Sequence, residues 1–117
     1  MQHHVKNRTL GRTRRGRSAL LRGLAISLLP EGKIKTTLAK AQELRPMVER
    51  LITTAKEDTV ASRRIVASRL GEPDAEVVRK LFNETAKRYT ERPGGYTRII
   101  KMGRTLAGRD EAVIELV

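Results

Sequence analysis

The chain has 117 residues, with 25 Lys and Arg against 13 Asp and Glu, a net charge of +12 and a pI near 11.1. That length is one domain's worth, and 38% hydrophobic residues argue against a chain disordered throughout. Cysteine is absent, which excludes disulfides and thiolate metal sites; the longest apolar stretch, residues 24–29 interrupted by Ser27, is far short of the ~20 residues of a membrane span.

Phe82, Tyr89 and Tyr96 are the only aromatics, so the core must rest on Leu, Ile, Val and Ala. A pI above ~9 is the electrostatic footprint of a nucleic-acid binder, because such a surplus repels itself in the compact state and attracts polyanions. Its placement is uneven. Residues 1–30 hold seven basic residues and no acid, residues 31–91 hold 13 basic and 10 acidic, and residues 92–117 hold five and three. The front of the chain therefore reads as a ligand-facing arm on an otherwise nearly balanced domain. No apolar signal core follows the basic N-terminus, and the expected location is the cytosol.

Residues 1–17 show no apolar periodicity, and Val5 and Leu10 stand alone among polar and basic residues. They are expected to form an extended basic arm. Ser18 is a candidate cap for a first helix in which Leu20, Leu21, Leu24, Ala25, Leu28 and Leu29 recur at helical spacing. Pro30-Glu31-Gly32 ends it. Residues 33–37 read as a brief strand or extended link. Thr37 then caps a second helix with Ala41, Leu44, Val48, Leu51, Ile52 and Ala55 on one face. Pro46 falls inside it and predicts a kink or break.

Asp58 or Thr59 opens a shorter third helix with Ile65, Val66 and Leu70 as its apolar side and Gly71 as a left-handed cap. Asp74 caps a fourth, in which Val77, Val78, Leu81, Phe82 and Tyr89 face inward. Pro93-Gly94-Gly95 is a turn. Residues 96–102 and 112–117 are strand candidates, the second alternating Ile114 and Leu116 with Glu115, and residues 103–111 join them as a basic loop. The order α-β-α-α-α-β-β, with helices segregated from a small sheet, predicts a two-layer α+β domain over residues 18–117 and an extended basic arm over residues 1–17.

No catalytic constellation accompanies this pattern. Glu57-Asp58 and Asp110-Glu111 are adjacent acids, but acids at a helix start answer the helix dipole rather than a scissile bond. A zinc site needs about four ligands, and only His3 and His4 are available. A serine nucleophile would lack a histidine base, and Pro93-Gly94-Gly95 does not have phosphate-loop spacing.

What remains is machinery for binding a phosphate backbone. Arg12, Arg14, Arg15 and Arg17 form a dense cluster in which guanidinium groups offer bidentate bonds to phosphate. Gly11 and Gly16 allow close backbone approach. Arg92, Arg98, Lys101, Arg104 and Arg109 surround the final hairpin. Tyr96 beside them is either a stacking platform for an unpaired base or a core residue. Shape and phosphate recognition suits so few aromatics better than single-strand stacking does. An architectural protein that compacts DNA would share the charge, although no exposed apolar wedge is evident; an RNA-processing enzyme is opposed by the missing acid and metal clusters.

Residues 34–46, Ile-Lys-Thr-Thr-Leu-Ala-Lys-Ala-Gln-Glu-Leu-Arg-Pro, resemble a known family. The likeness continues through Leu51-Ile52-Thr53, Ala55-Lys56, Arg63-Arg64, Lys80-Leu81-Phe82, Gly94-Gly95-Tyr96-Thr97-Arg98-Ile99 and Ile114-Glu115-Leu116. His3, Arg12 and Arg17, followed by a leucine-rich helix, fit the family's opening. In collinear order these runs look like the bacterial large-subunit ribosomal protein numbered seventeen. Departures from the family's pattern are Gln2, Gly16 and Gly23, where members often carry Arg, His and Asn, and a shorter loop at 103–111.

The resemblance implies a structural constituent of the large ribosomal subunit. It implies large-subunit rRNA and the ribosomal protein numbered thirty-two as partners, a cytoplasmic place in translation, and no catalysis, cofactor, membrane or small-molecule substrate. The residues expected at the RNA begin with His3, His4, Lys6, Arg8, Arg12, Arg14, Arg15, Arg17 and Arg22. Lys35, Thr36, Thr37 and Lys40 follow at the start of the second helix, and Tyr96, Arg98, Lys101 and Arg104 at the hairpin.

Overall fold

The computed structural model describes residues 10, 11 and 13–117. Helix α1 spans Arg14–Glu31, so it begins four residues before the expected cap at Ser18. Thr13 takes that place: its hydroxyl accepts the Gly16 amide at 3.1 Å, and its carbonyl accepts the Arg17 amide at 2.8 Å. A threonine oxygen here satisfies a donor that the helix itself leaves unpaired, and arginine is a good helix former. Arg14, Arg15 and Arg17, expected in the arm, are therefore helical. The other end of α1 is as expected: Gly32, with φ +85°, donates its amide to the Leu28 carbonyl and lets the chain turn away.

Strand β1, Lys33–Thr37, leads into α2, Leu38–Ala55. The Thr37 hydroxyl accepts the Lys40 amide at 3.3 Å. Of the kink or break expected at Pro46, the break does not occur: α2 runs through the proline. Pro46 sits on the exposed side of α2, while Leu44 and Val48 on either side are fully buried. Packing on both sides of the proline holds the helix through the lost hydrogen bond. Helix α3, Val60–Arg69, starts from a Thr59 cap that accepts the Ser62 amide at 3.0 Å. Its buried line is Ser62, Val66 and Leu70, spaced by four. Ile65 lies off that line and is 44% exposed, contrary to expectation. Gly71 has φ +76°, the left-handed turn predicted for it.

The fourth helix is compound. A short α4, Ala75–Lys80, widens into a π turn at Leu81–Thr85 and tightens into a 3-10 turn at Ala86–Tyr89. This change of pitch brings Leu81, Phe82, Thr85, Ala86 and Tyr89 inward together; Asp74 stands at its start but makes no side-chain cap. Strands β2, Thr97–Arg104, and β3, Asp110–Leu116, run further toward each other than the sequence suggests. They reduce the connecting loop to residues 105–109.

The sheet order is β1-β3-β2, antiparallel throughout. Ile34, Ile114 and Ile99 align across the sheet on the face toward the helices, and Lys33, Glu115 and Arg98 align on the outer face. A bulge at Met102 separates Lys101 from Gly103 in the pairing. The core lies between this sheet and helices α1 and α2, with α2 central and the π turn closing one side. The architecture is two-layer α+β.

Glu49 ties the turn before β2 to α2. Its carboxylate accepts the Gly95 amide at 3.2 Å, the Thr97 amide at 3.0 Å and the Thr97 hydroxyl at 2.8 Å. The end of β3 is held by the Tyr89 hydroxyl, which donates to the Val117 carbonyl at 2.7 Å.

Candidate nucleic-acid interface

Two basic regions emerge, and they differ in chemistry. The first is built on α1. Arg14 and Arg15 are exposed in its first turn, and Arg17 is half-buried. No acid accompanies them there. The amino end of a helix already carries a partial positive charge, so these guanidinium groups add to the dipole instead of offsetting it. The arrangement is unfavourable for the helix alone and favourable for a bound anion.

One turn further on, α1 meets α2 and the end of α3 around a cleft of about 410 Å³. Arg17, Ser18, Leu21 and Arg22 line it from α1, Met47, Arg50 and Leu51 from α2, and Arg69 from α3. Leu21 and Leu51 are buried beneath it. The floor is therefore apolar, and the walls carry four arginines. Arg22 is held in place: its Nε donates to the Arg69 carbonyl at 3.1 Å, and its aliphatic stem passes Gly71, where an added Cβ would stand 3.3 Å from Arg22 Cδ.

The second region lies where β1 enters α2 and along the hairpin. Lys35, Thr36, Thr37, Lys40 and Arg109 surround a shallower cavity of about 330 Å³, but Glu111 lines it too. Lys35 Nζ pairs with the Glu111 carboxylate at 3.0 Å. Arg98 pairs with Glu115, and Arg104 lies 3.6 Å from Asp110. Lys101 is exposed, in register with Ala112. Most cations expected to bind phosphate here already have a carboxylate. Exposed ion pairs are worth little in stability, yet an arriving phosphate must still displace the acid.

Tyr96 resolves to the core alternative. It is 1% exposed, its ring centre is 5.1 Å from that of Tyr89, and its hydroxyl donates to the Arg92 carbonyl at 3.3 Å. Lys56 Nζ stands 4.8 Å from the ring centre. Hydrogen bonding with Lys56, and then with Thr53, holds the phenol below its ordinary pKa. No ring face is left for a base to stack on. Thr37 spends its hydroxyl on the α2 cap.

The structure thus brings Arg17 and Arg22 together in one place and Lys35, Thr36, Thr37 and Lys40 in another, with Arg98 and Arg104 bound to acids on the hairpin. His3, His4, Lys6, Arg8 and Arg12 lie outside the described residues. Sequence reasoning missed Arg50 and Arg69. Each directly precedes an inward leucine, Leu51 and Leu70, and so stands at the border of an apolar helix face. That border position is the only local signal; their meeting with α1 is a tertiary fact.

Among the described residues, no group of three His, Cys, Asp or Glu could hold a metal ion, and no helix is long and apolar enough to cross a membrane. A family model described as ribosomal protein L17 matches residues 20–117, from within α1 to the last residue.

Proposed function

The chain belongs to the ribosomal protein L17 family, and from that premise we propose that it binds large-subunit rRNA chiefly through the phosphate backbone. Membership makes the chain a structural constituent of the large ribosomal subunit, a cytoplasmic ribonucleoprotein engaged in translation. The proposed role is architectural, without catalysis.

The observation that carries the backbone reading is the acid-free first 30 residues, which hold seven of the 25 basic residues and lead into the exposed Arg14 and Arg15 of α1. Phosphate contacts position a protein on RNA without reading sequence, and arginine suits them because its planar fork matches two phosphate oxygens. His3, His4, Lys6, Arg8 and Arg12 of the arm, residues 1–17, are proposed to add to the same contacts. The arm's last turn is helical, so Arg14, Arg15 and Arg17 are presented in fixed positions. Lys40 and Lys101 supplement it from the sheet side. Lys35, Arg98 and Arg104 contribute after exchanging their carboxylates for phosphate. The ribosomal protein numbered thirty-two is proposed as a neighbour on the resemblance alone.

Binding of the purified chain to large-subunit rRNA, in competition with duplex DNA of equal length, tests this reading. Preference for rRNA with a steep salt dependence is expected. Equal or tighter binding to DNA, or binding insensitive to salt, would overturn it.

A further inference from the structure

The cleft between α1, α2 and α3 has a property that binding by a basic arm does not require. Arg17, Arg22, Arg50 and Arg69 come from three helices to one apolar-floored space. None of the four joins an ion pair among the described residues, and residues 1–30 contain no acid that could supply one. Glu49 lines a neighbouring cavity with Arg50 and Arg69, but it pairs with neither: its carboxylate is engaged by Gly95 and Thr97 and stands 3.8 Å from Arg45 Nε. By contrast, the cavity at Lys35 contains its own carboxylate, Glu111.

Four like charges in one cleft oppose folding unless a counter-charge arrives. Clefts lined by one sign of charge over a low-dielectric wall also focus the field outward. Arg22 is pre-positioned by the Arg69 carbonyl and by the space that Gly71 leaves for its stem. Its Nε is committed, so only its terminal nitrogens remain to meet a ligand. Less side-chain freedom is then lost on binding, which is the usual source of affinity in a preorganised site.

We propose that this cleft is a preformed clamp for the phosphodiester backbone of RNA, built into the folded domain and independent of residues 1–12. Arg50 and Arg69 complete it, and they extend the interface from α1 across to α2 and α3. The clamp rests on the rRNA-binding reading above and deepens it by naming where the folded domain grips the backbone.

The test uses the full chain and full-length large-subunit rRNA, with affinity measured across a salt series. For Arg50→Gln with Arg69→Gln, the slope of log affinity against log salt should fall by about 1.4–1.8, which is ~0.7–0.9 for each of two lost phosphate contacts. A slope equal to wild type would overturn the clamp. Arg50→Lys with Arg69→Lys keeps the charge and removes the planar fork. It should bind several-fold more weakly at an unchanged slope, and it serves if the glutamine variant does not fold. Wild-type affinity for the lysine variant would also overturn the clamp. Deletion of residues 2–12 should leave the difference between wild type and the glutamine variant intact; its disappearance would place the contacts in the arm. Failure of the wild-type chain itself to bind rRNA would overturn the parent reading, an outcome separate from all of these.

Discussion

The α1–α2–α3 cleft and the hairpin side of this molecule each gather several basic residues, and they use them differently. On the hairpin and β1, Lys35, Arg98 and Arg104 each stand near a carboxylate of β3. Around the α1–α2–α3 cleft, four arginines join no ion pair among the described residues. A count of cations therefore measures attraction to a polyanion at long range, whereas affinity at contact depends on which cations are free. Sheets bring this pairing about naturally, because cross-strand neighbours on one face are in reach of each other. Helices from distant parts of the chain have no such habit, so an arginine group without ion pairs among the described residues calls for a partner outside the chain.

The largest expected effect lies among the arginines at the start of α1, which join no ion pair among the described residues. Replacing Arg14, Arg15 and Arg17 by Gln removes up to three phosphate contacts. The salt slope should fall by about 2–3, and affinity at 0.1 M salt should drop roughly a hundredfold relative to extrapolation at 1 M. Filter binding across salt reads both. An unchanged slope would show that α1 faces away from the RNA.

Stability separates the two regions next. Glu49→Ala removes the carboxylate that accepts from Gly95 and from both donors of the buried Thr97. It should cost about 2–3 kcal/mol in denaturant unfolding. This variant loosens the turn before β2 and also removes the carboxylate 3.8 Å from Arg45 Nε, a cation outside the cleft. A loss below about 0.5 kcal/mol would mean that water replaces Glu49 freely. On the helical side, Gly71→Ala places a side chain at φ +76° and 3.3 Å from Arg22 Cδ. A cost of about 1–2 kcal/mol is expected, together with weaker rRNA binding if displacing the Arg22 stem disturbs the cleft.

Smaller effects locate the start of α1 and the value of the hairpin pairs. Thr13→Ala should cost about 1 kcal/mol and Ser18→Ala under about 0.5 kcal/mol; the reverse order would restore the cap to Ser18. Glu115→Gln frees Arg98, so rRNA affinity should rise, by about twofold at low salt, since an exposed pair is worth only ~0.2–1 kcal/mol. A fall in affinity would show that Glu115 positions Arg98 for the RNA.

Much of this arrangement was readable from local chemistry. The caps at Thr37, Thr59, Gly32 and Gly71 and the buried lines of α1 and α2 follow from hydrogen-bonding side chains, glycine dihedrals and helical periodicity. Three kinds of feature were not. The start of α1 was hidden because Arg14 to Arg17 offer no apolar repeat, and the helix there is propagated from a core one turn away. The path of α2 through Pro46 depends on burial of Leu44 and Val48 against other elements, which outweighs the proline's local preference. The wide turn at Leu81–Thr85 and the insertion of β3 between β1 and β2 are solutions to packing that leave no spacing signature. The candidate site divides in the same way. The cationic arm and α1 were visible as composition, Tyr96 was ambiguous until its burial was seen, and Arg50 and Arg69 became visible only when three helices met.

The most direct measurement compares two triple variants that each remove three positive charges, Arg17, Arg50 and Arg69 to Gln on one side and Lys35, Arg98 and Arg104 to Gln on the other. Both are titrated with large-subunit rRNA across the same salt series. If free arginines contribute more to the contacts than cations that must first exchange a carboxylate, the first variant lowers the salt slope by about 2 and the second by less than about 1. Equal losses from the two variants would contradict the account, because charge number alone would then explain the binding.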